Sequence, residues 1–177
     1  AAMGEHFAAD PNADPGFTRD PVHRETEVLI VGGGFAGLLG AANLHRQGIE
    51  DITIVERAAD FGGTWYWNRY PGARCDVESY VYLPLLEETG FMPSEKYARG
   101  AEILDQCQRI ARHFGLYDKA LLQTGITSLD WDEARACWLA RTDRDDTIAA
   151  RFVLSCTGLF NSAKLPALPG IETFAGH

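Results

Sequence analysis

A chain of 177 residues with 46% hydrophobic and 23% charged residues can bury one good core and reads as an ordinary globular protein of about one domain. Its net charge of −9, with no Lys/Arg cluster to reverse it locally, argues against nucleic acid and anionic membrane surfaces as partners. No apolar stretch is long enough to span a bilayer and no basic-then-apolar signal segment opens the chain, so a cytoplasmic location is the expectation.

In chain order, residues 1–24 are rich in Pro, Asp, Ala and Gly and show no periodicity, which predicts an extended N-terminal arm without regular structure; Phe7 and Phe17 are the groups by which it could pack on the domain. The apolar run Val28, Leu29, Ile30, Val31 then breaks at Gly32, Gly34 and Gly37, and a helix-forming segment runs from Leu38 to Gln47 with Gly48 as its stop. Strand, tight turn and helix with G-x-G-x-x-G spacing form a pyrophosphate cradle. The first glycine allows the turn, the second lets backbone approach the phosphates, and the third lets helix and strand pack, with the helix N-terminus facing the anion. A lone match of this kind is weak. Here a second strand, Ile52–Val55, ends in Glu56, 19 residues after Gly37, which is the position of a carboxylate that holds a ribose hydroxyl. A carboxylate there repels a 2′-phosphate, so FAD or NAD fits this site and NADP does not.

Residues 57–82 contain too much Gly and Pro for regular structure and too many aromatics for a solvated loop. They are expected to be a functional loop, the alternative being a satellite core built from Trp65, Tyr66, Trp67 and Tyr70. A helix is expected from Ser94 or Gly100 to Phe114, closed by Gly115, with Ile103, Leu104, Cys107, Ile110, Ala111 and Phe114 on one face. A three-stranded antiparallel ribbon follows: Leu121–Trp131, Ala136–Thr142 and Thr147–Ala150, the last running on to Cys156 and ending at Thr157-Gly158. The acidic turn Asp143-Arg144-Asp145-Asp146 reads as a solvated hairpin tip. The four cysteines, Cys75, Cys107, Cys137 and Cys156, contain no C-x-x-C pair, so they suit neither a zinc site nor a dithiol centre. The expected fold is α/β: a Rossmann-like domain with a βαβ start and an antiparallel ribbon crossover, the first part of a flavoprotein with two dinucleotide-binding domains. The FAD-binding portion is assigned to 25–160. Residues 161–177, including Pro166 to Gly170, are read as a linker toward an NADPH-binding domain.

Gly62-Gly63-Thr64-Trp65-Tyr66-Trp67-Asn68-Arg69-Tyr70-Pro71-Gly72, followed by Cys75-Asp76, resembles the flavin-side signature of the type I Baeyer-Villiger monooxygenases. The glycine fingerprint, the acidic end of strand two and the terminal x-T-G strand occur in that family's order across residues 27–177. The resemblance implies insertion of oxygen into ketones to give esters or lactones, with FAD, NADPH and O2, through a peroxyflavin. The segment Leu83 to Ile103 is similar to members that act on bulky cyclic, polycyclic or steroid ketones. Carried over, the resemblance puts Gly32, Gly34 and Gly37 at the FAD pyrophosphate, Glu56 at the adenosine ribose, and Thr64, Trp65, Asp76 and Tyr82 near the flavin, with Phe35, Ala36, Arg57, Gly63, Thr157 and Gly158 also counted as cofactor-binding. Asp76 is the implied catalytic residue, because an aspartate at this place pairs with an arginine beside the reacting flavin. Arg69 and Arg74 are the nearest candidates in sequence, and the simpler reading of Asp76 is a turn or helix cap. Phe174-Ala175-Gly176-His177 is similar to the start of the family's F-x-G-x-x-x-H fingerprint, with His177 three residues early, and no second G-x-G-x-x-G for NADPH occurs. The chain thus resembles the opening third of such an enzyme, with the remainder of the parent chain as an implied partner and the chain alone expected to be inactive. An N- or S-oxygenating flavin monooxygenase and a non-catalytic nucleotide-binding module are the alternatives.

Overall fold

The computed structural model of the chain describes residues 10–160, 168–173 and 175. Strand β1 (His23–Val31) forms from the run of β-branched and apolar residues ahead of the glycines, and helix α1 (Phe35–Arg46) starts directly after Gly34, three residues earlier than Leu38. Strand β2 (Ile52–Val55) lies parallel to β1, with Ile30 opposite Ile54. Three single-turn helices follow, α2 (Thr64–Trp67), α3 (Ser79–Tyr82) and α4 (Leu86–Thr89), and then the long helix α5 (Gly100–His113). Ser94 does not start α5; its N–H and hydroxyl donate to Glu102 in the first turn instead. Gly115, in the left-handed conformation at φ 63°, stops the helix.

The remaining strands are β3 (Ala120–Leu121), β4 (Ile126–Asp132), β5 (Cys137–Thr142) and β6 (Thr147–Ser155). The sheet order is β3-β2-β1-β6-β5-β4, parallel among β3, β2, β1 and β6 and antiparallel across β5 and β4. The single strand expected over Leu121–Trp131 is therefore two. It breaks at Leu122–Gly125, where Gln123 takes a left-handed φ of 50° and the Gln123 and Thr124 N–H groups donate to the Ala58 and Glu56 carbonyls. A tie to residues some 65 positions back, invisible to local periodicity, divides the segment between two strand partners.

Alternation along β1 supplies both faces. Val28 and Ile30 pack with Leu38 and Ala41 of α1 and with Cys107, Ile110 and Ala111 of α5, while Leu29 packs with Val55, Leu121, Ile148 and Ala150 on the other side. Cys75, Cys107 and Cys137 are buried, Cys156 is half-buried, and all four are free. The aromatic stretch does build a satellite cluster: Trp65 packs with Cys75, Leu83, Ala98 and Ile103, whereas Tyr70 is exposed.

The arm is packed where it is described, and β1 takes its last two residues, His23 and Arg24. Asp10 accepts from the Tyr66 hydroxyl and the Ala59 N–H, and Phe17 lies under the Arg144 guanidinium. The solvated hairpin tip is also corrected: Asp146 is buried and forms an ion pair with Arg19 of the arm, while Asp143 and Asp145 are exposed. Phe7, Pro166, Phe174 and His177 lie outside the described residues, and Ile171–Thr173 form a short 3-10 turn. Among the described residues no helix is long and apolar enough to cross a membrane.

Candidate functional site

At the carboxyl ends of β1, β2 and β6 the backbone closes around a cavity of about 590 Å3. Its floor is glycine on glycine. Gly32 has φ 110°, and a Cβ there would stand 2.4 Å from the Cys156 carbonyl oxygen; one on Gly37 would stand 1.9 Å from the Gly32 carbonyl oxygen. Gly63 has φ 53°, and a Cβ on it would stand 2.7 Å from the Gly34 Cα. These three approaches explain why the fingerprint turn can lie flat against both the strand end and the Gly62-Gly63 loop. The first hydrogen bond of α1 runs from the Leu38 N–H to the Gly34 carbonyl, so the N–H groups of Phe35, Ala36 and Gly37 precede the helical ladder. With no acidic side chain in the first turn, this helix start favours an anion.

Glu56 is buried beside this turn. One carboxylate oxygen accepts the Gly33 N–H at 2.5 Å and the other accepts the Ala58 N–H at 2.6 Å. Its first effect is therefore to fix the glycine turn, a role the spacing did not indicate. A second lone pair on each oxygen leaves acceptor capacity for a hydroxyl of a ligand. Across the cavity, Trp65 and Tyr82 form one unit: the Trp65 indole N–H donates to the Tyr82 hydroxyl at 2.9 Å, and Phe35 meets the Tyr82 ring edge-on at 5.7 Å. Burial first, with smaller contributions from Cys75, Cys107 and Asp76 and against the Trp65 bond, pushes the Tyr82 phenol above its ordinary pKa, so it stays protonated.

Of the residues expected here, Gly32, Gly34, Phe35, Ala36, Glu56, Arg57, Gly63, Thr64, Trp65, Tyr82, Thr157 and Gly158 line the cavity. Gly37 lies beneath it as a packing glycine. Arg57 places its guanidinium 4.8 Å from the centre of the Trp67 ring. Asp76 does not reach the cavity: it is exposed on the loop before α3, and it caps nothing, since the Val77 N–H goes to Cys75 Sγ. Neither nearby arginine pairs with it. Arg69 donates to the Tyr66 carbonyl and stacks on the Tyr66 ring, and Arg74 pairs with Glu95. The site residues assigned from sequence omit Gly62, which opens the signature and whose φ of 144° disfavours a side chain, and the wall formed by Thr124, Gly125 and Ile126. The doubled glycine at 62–63 was the available signal for the first; the second has none in sequence.

Residues 30–90 match the family described as NAD(P)-binding Rossmann-like domain. Baeyer-Villiger monooxygenase ATR8 of Stachybotrys chlorohalonatus is 54% identical over 97% of the chain, and neopentalenolactone D synthase of Streptomyces avermitilis is 55% identical over all of it. The polycyclic ketone monooxygenase of Thermothelomyces thermophila superposes with a TM-score of 0.85 at 39% identity over 97% of the chain. This chain is homologous to the N-terminal part of Baeyer-Villiger monooxygenases. It spans about 30% of the length of the relatives it matches, 27% and 30% for the two sequences and 30% for the structure. A further structural neighbour, OTEMO in complex with FAD and NADP, superposes with a TM-score of 0.74 at 29% identity, covering 88% of the chain and 29% of its own. The glycine cradle, the bare helix start and the buried Glu56 form one concave site that fits a dinucleotide.

Proposed function

We propose that this chain is the FAD-holding opening part of a Baeyer-Villiger monooxygenase that converts bulky cyclic or polycyclic ketones to esters or lactones with NADPH and O2. The observation that carries the reading is the Gly34–Gly63 contact beside the first turn of α1. It lets backbone N–H groups reach a pyrophosphate with no side chain between. Residues 25–160 would contribute the greater part of one cofactor domain, and 161–177 would lead toward the second. The flavin supplies the electron transfer and oxygen chemistry that no protein side chain can.

The chain's own residues bind and orient. The α1 N–H groups and its dipole neutralise the pyrophosphate, and Glu56 accepts from ribose hydroxyls while excluding a 2′-phosphate at this site. Trp65 and Tyr82, packed edge to face, would form a wall that holds the ring end of the cofactor and keeps water from it. Asp76, on the exposed loop before α3, would act only with the remainder of the parent chain, by holding a cation from it near developing negative charge. The ketone class is supported by the names of the relatives at 54–55% identity and of the structural neighbour.

The test is flavin titration of the protein in its full natural length, followed by single turnover with NADPH and a bicyclic ketone. Tight FAD binding, flavin bleaching by NADPH and lactone formation are expected. A protein that binds no FAD would overturn the assignment.

A further inference from the structure

The arm and the hairpin tip, both without function in the reading above, meet in one buried network. Arg19 sends both terminal nitrogens to the Asp146 carboxylate at 2.5 Å each, and the Asp146 side chain has no solvent exposure. Asp146 also accepts the Val22 N–H at 2.7 Å and the Thr142 hydroxyl at 2.6 Å. The same Arg19 nitrogen that reaches Asp146 Oδ2 donates to the Thr124 hydroxyl at 3.0 Å, and Thr124 is itself buried. Thr124 passes the connection on: its N–H donates to the Glu56 carbonyl, and the Glu56 carboxylate holds the Gly33 N–H of the fingerprint turn. Meanwhile Asp143 and Gly125 bond to each other through two N–H groups, fixing the hairpin tip to the same loop.

We infer that Arg19 and Asp146 are positioning residues for the dinucleotide site, and that the N-terminal arm is a clamp that sets the Thr124–Ile126 wall and, through Glu56, the glycine turn. This rests on the assignment of the cavity to FAD. Three observations favour positioning over mere attachment. The guanidinium Nε of Arg19 is buried with no partner among the described residues, so it is held inside at a desolvation cost that an arm anchored for stability alone would avoid with an apolar side chain. Its contacts end on a threonine that lines the cavity rather than on the core. The arm also makes a second attachment, Asp10 to the Tyr66 hydroxyl and the Ala59 N–H, on the segment after Glu56, so two of the chain segments bonded to Glu56, at Ala58 and at Thr124, are tied to the arm. The chemistry required of the clamp is only that the Thr124 N–H holding the Glu56 backbone not drift, because a small displacement of a ligand-binding carboxylate weakens binding steeply.

The experiment compares FAD dissociation constants, by fluorescence titration, with the melting temperatures of the FAD-free protein in its full natural length. Arg19→Met should raise the FAD dissociation constant about tenfold, and Arg19→Lys should recover part of that loss. Thr124→Val leaves the ion pair intact but loses the bonds to Arg19 and the Leu122 carbonyl; it should weaken FAD as Arg19→Met does, with a smaller loss of melting temperature in the FAD-free form than Arg19→Met shows. The double variant Arg19→Met with Asp146→Leu replaces the buried pair by apolar packing; it should regain the melting temperature but not the affinity. Recovery of affinity together with melting temperature in the double variant would make the network purely structural and overturn the inference, as would unchanged affinity in Thr124→Val. Failure of the unsubstituted protein to bind FAD would instead overturn the assignment of the cavity, and the clamp with it.

Discussion

Gly34 and Gly63 face each other across the cavity floor with room for no side chain, and this sets the sharpest residue-level expectation. Gly63→Ala must fit a Cβ 2.7 Å from the Gly34 Cα while holding φ at 53°. Left-handed strain and overpacking together should cost about 3 kcal/mol and empty the preparation of flavin, read as the ratio of visible to protein absorbance. Gly72→Ala is the matched control. Its φ is 83° but nothing lies within 4 Å of the added carbon, so it should cost only about 1 kcal/mol and keep the flavin. Glu56 carries a second expectation. Glu56→Gln keeps the shape but loses the charge-assisted acceptor for either the Gly33 or the Ala58 N–H, so stability in urea should fall by about 2 kcal/mol even without FAD. A variant that loses only FAD affinity would show that the backbone bonds are incidental.

At the level of elements, the Arg19–Asp146 pair couples stability to pH. Burial alone would raise the Asp146 carboxyl, but Arg19, Thr142 and the Val22 N–H outweigh it and hold it at about 2, below the ordinary 3.8. Because the folded value is the lower one, the contribution is complete above about pH 4 and is lost as pH falls toward 2, amounting to roughly 2 kcal/mol. The difference in urea stability between the parent and Asp146→Asn should therefore shrink between pH 5 and pH 2.5; a constant difference would place the titration elsewhere. This pair also shows what the sequence could carry. The β1-turn-α1-β2 unit is legible because its signals, alternation, three spaced glycines and an acid at a strand end, act within about 30 residues of one another. Asp146 looks like a solvated turn residue until Arg19, 127 positions away, is brought to it, and the break at Leu122–Gly125 needs the carbonyls of Glu56 and Ala58. Asp76 marks the same limit at the candidate site. Its motif was readable, but the exposed loop on which it sits and the other commitments of Arg69 and Arg74 were not.

For the whole molecule, one rim of the cavity is apolar and exposed. Phe160 lines it while remaining 70% exposed, and Leu159 beside it is 89% exposed. Phe152 and Leu154 extend this apolar surface along β6 next to α1, where Leu154 approaches Gly40. An oxidation that runs through NADPH and O2 needs a hydride donor held against the flavin, exclusion of water and a cation where negative charge develops. The 177 residues contain one G-x-G-x-x-G, and none of the arginines near Asp76 in sequence is aimed at it. The chain at this length is therefore expected to bind FAD at best and to form no lactone from a cyclic ketone. Extended by the portion that its relatives carry beyond it, the protein should form lactone with matching NADPH consumption. Asp76→Ala should then lower turnover at least tenfold, by analogy with the loss of one charge-stabilising group, while FAD content stays unchanged because Asp76 lies outside the cavity. The measurement is lactone by gas chromatography beside flavin occupancy by absorbance. Loss of flavin in Asp76→Ala would make it a structural residue, and lactone from the rigorously purified 177-residue chain would require a reacting site other than the one described.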